Sequence, residues 1–219
     1  APAAHTLAAR PDRAAHDPLP LPAVIGNQAR DGVGGLQVSS LFNSTGGGVA
    51  GVQASAGVNF ARDGVSGFQS APLLNWAGTD LKGVQGTALL NYAGGDVRGG
   101  QIAGSVNVAH GEVSGVQAAG AANVSGGGGG GQLAGAVNLA SGELTGLQGA
   151  GALNVAETLD GAQLAPLNVA KEVDGAQVGV VSAAKTVRGV QVSVINVAKD
   201  VDGVQVGVLN FADDVDGVS

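Results

Sequence analysis

The sequence predicts an all-β fold, a narrow parallel β-solenoid of about 12 coils with about 14–16 residues in each coil. Three observations predict it. One short motif recurs along most of the 219 residues, glycine contributes 40 of them, and aromatics only 3%. Glycine at that density opposes helix by about 1 kcal/mol per residue, and so few aromatic rings leave little bulk to fill a wide core. A hydrophobic fraction of 44% is too high for a disordered chain. The ordered, glycine-rich form that remains has to be thin.

The motif is set by glutamine and asparagine. Gln37, Gln53, Gln69, Gln85, Gln101, Gln117, Gln132, Gln148, Gln163, Gln177, Gln191 and Gln205 follow one another at a spacing that is constant at first and shortens slightly toward the end. Each is answered five or six residues later by Asn43, Asn59, Asn75, Asn91, Asn107, Asn123, Asn138, Asn154, Asn168, Asn196 or Asn210, with Ser182 taking that place once. Asn27 supplies an incomplete first copy. Gly stands two residues before every one of these Gln, and a small residue stands two after. Large apolar residues flank Asn, and Ala follows two residues after it in most copies. An apolar residue such as Val65, Leu81, Val97, Val173 or Val201 precedes the Gly by two. Repetition this regular is the mark of a tandem array.

Each part of the coil follows from its residues. Val204, Val206 and Val208 alternate with Gln205 and Gly207, a period of two that predicts strand. Two short strands and two tight corners fit the repeat length, and coils stacked about 4.8 Å apart make a rod of roughly 58 Å. Stacking sets Gln above Gln and Asn above Asn. An amide can donate to one neighbour and accept from the other, so both columns are expected to be hydrogen-bonded ladders. The Gly before each Gln is expected at positive φ or at a close backbone approach. The shortening of the repeat along the chain predicts a taper toward the C-terminus. The direction of Gln is open at this level. Apolar burial at about 25 cal/mol per Å² favours valine inward and Gln on a flat outer stripe. The alternative buries Gln and leaves an outer apolar stripe in need of a partner. A 12-stranded outer-membrane β-barrel is the rival architecture. It lacks aromatic girdles here, and its antiparallel strands would need two turn types where the repeat has one.

Two resemblances rest on these residues. The spacing of Gln205, Gly207, Asn210 and Ala212 is similar to the inner part of the curlin repeat of curli fibres, without that repeat's upstream Ser and second Gln. The tandem G-x-Q-x-G-x-x-N-x-A array, from about Asn27 to Ser219, more closely resembles the bacterial surface-repeat proteins. That resemblance implies an extracellular or cell-surface, non-enzymatic protein, and it supplies no catalytic residue.

Other features have ordinary explanations. The Gly126–Gly131 run lacks the Lys-Ser or Lys-Thr of a phosphate loop and keeps step with the array, so it marks a degenerate coil. Asn43-Ser44-Thr45 and Asn123-Val124-Ser125 match the N-glycosylation pattern, but both asparagines belong to the ladder. His5, His16 and His110 are scattered and predict no metal site. Acidic residues such as Asp200, Asp202, Asp213, Asp214 and Asp216 form a solvated turn face, with Lys171, Lys185 and Lys199 in a column beside it. Thr45, Thr79, Thr87, Thr145, Thr158 and Thr186 do not stack at one repeat position, which argues against an ice-binding face. A net charge of −7 without a basic cluster gives no footprint for nucleic acid. No apolar run is long enough for a transmembrane helix, and without cysteine there is no thiol chemistry.

Residues 1–22 carry Pro2, Pro11, Pro18, Pro20 and Pro22 and predict an extended tail or linker ahead of a solenoid domain over 23–219. The start at Ala1-Pro2-Ala3-Ala4 fits an exported chain, and the stop at Gly217-Val218-Ser219 leaves a coil open to another chain. The expected function is structural: a surface or extracellular solenoid that self-assembles end to end, or side to side through its uncharged stripe, into a fibre or layer. The second expectation is a module that binds a surface glycan or a protein. No repeat position combines nucleophile, base and acid, so no enzyme and no cofactor are expected.

Overall fold

A computed structural model describes residues 21–23 and 25–218. Period-two alternation does form strands, and each of the longer coils contributes a long and a short one. In the Gln101 coil these are Val97–Ala103 and Val106–Ala109. Each strand pairs with its equivalents one coil before and one coil after, so that Gln101 lies between Gln85 and Gln117, and Asn107 between Asn91 and Asn123. Every pairing among the described strands is parallel. The fold is a β-solenoid of about 12 coils. The barrel is excluded, because its neighbouring strands would run antiparallel.

The shorter coils lose residues at their corners. One residue goes from the link between Gln and Asn and one from the link between Asn and the next Gly. With less slack at the corners, the strands run on through them, giving Leu153–Leu164, Leu167–Ala183 and Thr186–Val197. Of the tail expected over 1–22, residues 1–20 lie outside the described residues. Leu21 and Pro22 are the first residues of strand Leu21–Ala23, which pairs with Gln37, Val38 and Ser39.

The direction of the side chains corrects the expectation that valine faces inward. All twelve repeat glutamines are buried, Gln101 and Gln117 to 0% exposure, while Ile102 and Val116 beside them are 57% and 48% exposed. Among the valines first assigned to the core, Val206 and Val208 are 53% and 79% exposed. The apolar core comes from another pair of columns. Val65, Leu81 and Val97, two before each Gly, pack on Ala61, Ala77 and Ala93, two after each Asn. These positions already fill the thin interior. Apolar area alone favoured valine, but the Gln amides bond to one another along the rod, which offsets the cost of burying them.

Among the described residues, the apolar column two before Gly is interrupted once. At the Gly126–Gly131 run, Gly128 pairs with Leu144 where an apolar side chain is the rule. One core cluster ends at Val113 and the next begins at Ala140.

The Gly column before Gln is a geometric requirement. From Gly35 to Gly189 its members have φ between 107° and 152°, a region L side chains rarely adopt. A Cβ at Gly99 would also collide with the carbonyl oxygen of Gly83 in the coil below. Gly99→Ala is therefore expected to destabilise the rod by more than the roughly 1–2 kcal/mol of a left-handed backbone alone, read as a lower denaturant midpoint. Gly128→Val should not repair the core. Gly128 has φ 118°, and its Cβ would lie 2.5 Å from the Val113 amide nitrogen.

Candidate functional site

The expected ladder residues come together as two columns inside the solenoid. Each Gln donates from Nε2 to Oε1 of the Gln one coil nearer the N-terminus, at 2.7–2.9 Å from Gln53→Gln37 through Gln205→Gln191. Asparagine runs the other way. Asn27 Nδ2 donates to Asn43 Oδ1, and the chain continues to Asn168 at 2.9–3.1 Å. The two polar columns thus carry opposed dipoles. The Asn amides also hold backbone, as Asn107 Nδ2 does by donating to the carbonyls of Gln101 and Ala118. In coils where Thr45 or Ser125 replaces the usual Ala, its hydroxyl accepts from Gln53 or Gln132 Nε2.

The Asn ladder breaks at Ser182. The Ser182 hydroxyl shares a 2.6 Å hydrogen bond with Ser193, and Asn196 Oδ1, buried, has no partner. A size rule explains the substitution. A Cβ at Gly179 would lie 2.8 Å from Asn168 Nδ2, and one at Gly207 would lie 2.7 Å from Asn196 Nδ2. In the short coils an Asn therefore needs Gly above it, and Ser193 occupies that space over Ser182.

Both asparagines of the glycosylation-like triplets are fully buried and donate within the ladder. Lys171, Lys185 and Lys199 do stack, with Lys185 N donating to Lys171 O and Lys199 N to Lys185 O. Lys171 and Glu157 form an exposed ion pair. His5 and His16 lie outside the described residues. Among the described residues no group of three or more His, Cys, Asp or Glu could hold a metal ion, and no helix is long and apolar enough to cross a membrane.

The outer surface divides sharply. Every charged residue from Arg30 to Asp216 lies in the link that runs from three residues after Asn to one before Gly. The long-strand face around Gln, the corner beyond it and the short-strand face carry none. They expose large apolar groups instead, among them Leu73, Leu89, Ile102, Leu133, Leu164 and Val194. A depression of about 810 Å³ opens there, between Ile102 and Val180, where Ala118, Ala134 and Gly149 leave room. This separation is legible in the sequence once charges are counted by repeat position.

On the short-strand face Phe60, Trp76 and Tyr92 form a stack. Ring centroids are 5.8 Å apart for Phe60 and Trp76 and 3.8 Å for Trp76 and Tyr92, and His110 meets Tyr92 edge-on at 5.4 Å. The rings face one another along the rod and turn their edges outward. Such a column ties coils together by about 0.5–1.5 kcal/mol per pair, but it leaves no free ring face between Trp76 and Tyr92 on which a sugar could stack.

No protein-family model matches the chain, and no curated protein or solved structure matches it.

The ladders predict two stability results. Gln101→Leu leaves Gln85 Oε1 buried without a donor, at a cost of about 1–3 kcal/mol, and urea unfolding should show it. Ser182→Asn alone forces its amide against Ser193 and should give no gain. Combined with Ser193→Gly it should reconnect Asn168 to Asn196 and be more stable than either single variant. Additive effects in that double-mutant cycle would refute the size rule.

Proposed function

We propose that this chain is a non-enzymatic structural protein of the bacterial cell surface or extracellular matrix, which self-assembles side to side into a fibre or layer. One observation carries the proposal: uncharged, apolar surface runs the length of the rod, with all charge among the described residues confined to one link. Exposed apolar surface of this extent marks an interaction site, because monomers rarely leave more than a few hundred Å² of it contiguous. The charged link keeps one side of each rod in water and limits association there. The interior supports a scaffolding role, since its polar side chains are spent on the ladders. The resemblance of the repeat to bacterial surface-repeat proteins supports the location.

A second reading is a binding module. The shallow, open depression between Ile102 and Val180 favours it, being lined mostly by apolar side chains of successive coils.

Sedimentation velocity over a concentration series, with negative-stain microscopy, separates the two. Self-assembly predicts a sedimentation coefficient that rises with concentration. Leu133→Glu, on the exposed face, should weaken association, while Lys185→Glu on the charged link should not. A rod that stays monomeric throughout and retains a glycan or protein ligand would replace this reading with the second.

A further inference from the structure

Resting on the side-to-side reading, we infer that the first lateral contact is an antiparallel pair of rods. Two copies meet through the outer faces of their long strands, about a two-fold axis between the Gln117 and Gln132 coils. Two columns of side chains form that face, one before and one after each Gln. From the Gln53 coil to the Gln177 coil their sizes compensate within the coil: Val116 precedes Gln117 and Ala118 follows it, whereas Gly131 precedes Gln132 and Leu133 follows. The end coils, as in Leu36 and Val38 or Val204 and Val206, carry large residues on both sides. Phe68 is likewise answered by Ser70, and Leu147 by Gly149. The large member is exposed in each case, with Phe68 at 41% and Leu133 at 50%. Solvent does not require such alternation, whereas a packed face does, because a gap forfeits the contacts of its lining.

A two-fold axis along the strand direction sets each column against itself in reverse order. Ala118 then faces the partner's Leu133, Ile102 the partner's Gly149, and Gly86 the partner's Leu164. In the column before Gln, Val116 faces the partner's Gly131, Gly100 the partner's Leu147, and Phe68 the partner's Ala176. Large meets small throughout the centre, and all twelve coils overlap. The uncharged part of the face is about five residues wide and about 58 Å long, on the order of 900 Å² per copy. A stable interface needs about 800 Å² per partner.

Size alone also fits a parallel pair, with the axis along the rod, because compensation within the coil sets Val116 against the partner's Ala118. Charge decides between them. The column flanking this face, just before each Gly, includes Lys82, Arg98, Asp160, Asp174 and Arg188. The antiparallel axis puts that column beside its own copy and brings Lys82 opposite the partner's Asp160, twice by symmetry. No like charges meet. The parallel axis would instead lay the column against the partner's apolar corner, where an unpaired charge is costly to desolvate.

The cysteine-free chain allows a direct test. Spin labels on Ser66→Cys and, separately, on Ser114→Cys, both exposed, report the distance between identical sites of the pair. Antiparallel packing displaces the Ser66 sites along the rod by seven coils, about 34 Å, and the Ser114 sites by one, about 5 Å. The Ser66 distance should be much the longer. Lys82→Glu should weaken the dimer about threefold to tenfold, and Lys82→Glu with Asp160→Lys should restore it. Equal distances at the two sites in a genuine dimer would overturn the antiparallel arrangement and leave self-assembly standing. A monomer at all concentrations would overturn both. So would a monomer that floats with phosphatidylcholine vesicles, which would assign the face to a lipid surface.

Discussion

The amide hydrogen bond between one coil and the next is the interaction on which the rest of the structure depends. Coils repeat about 4.8 Å apart, and a side-chain amide carries one donor group and one acceptor that can span that gap. A buried Gln is tolerable only if both are used. That condition demands an unbroken column, and an unbroken column demands one Gln in register per coil. The eleven Gln–Gln bonds from Gln37 to Gln205 meet it at every coil between the two ends, where Gln37 Nε2 and Gln205 Oε1 are buried without a partner. Each bond adds only about 0.5–1.5 kcal/mol net. Register is enforced by the larger cost of leaving one unmade.

A polar interior changes what the exterior can be. With Gln and Asn inside, the alternating residues of each strand must point outward, and in this chain they are Val, Leu, Ile and Phe. The solenoid is amphipathic around its circumference. Charge at a single link keeps one side solvated, and the remaining sides present apolar surface that another rod can cover. Assembly in this view follows from the choice of core, because burying amides displaced the apolar residues to the surface. The size compensation across Gln gives that surface relief, and in the proposed pair the flanking charges, not the relief, favour one orientation of the partner.

The defects in the array follow the same logic. Ser182 interrupts the Asn ladder because Ser193 fills the space an amide would need. Gly128 interrupts the apolar column because its backbone has turned to positive φ and has no room for a side chain. Both are local, since neighbouring coils repeat the contacts that one coil lacks. The aromatic stack of Phe60, Trp76 and Tyr92 adds cohesion over three coils, including those whose corners are longest.

Repeat spacing determined the solenoid, the number of coils, the parallel register and the identity of both ladders. It could do so because coils of nearly constant length place equivalent residues in vertical contact whatever their direction. The requirement for Gly before Gln was legible for the same reason, and the confinement of charge could have been read from repeat position. The sense of each strand was not legible. Alternation tells which residues share a face, not which face is buried, and the larger apolar area of the valines favoured burying them. Only the tertiary structure shows that the Val/Leu column two before Gly and the Ala column two after Asn form the apolar core of the thin interior, which leaves the strand centres to the ladders. The outward aromatic edges and the depression beside Leu133 were beyond the sequence for a related reason. They depend on how side chains of successive coils lean against one another, which repeat spacing leaves undetermined.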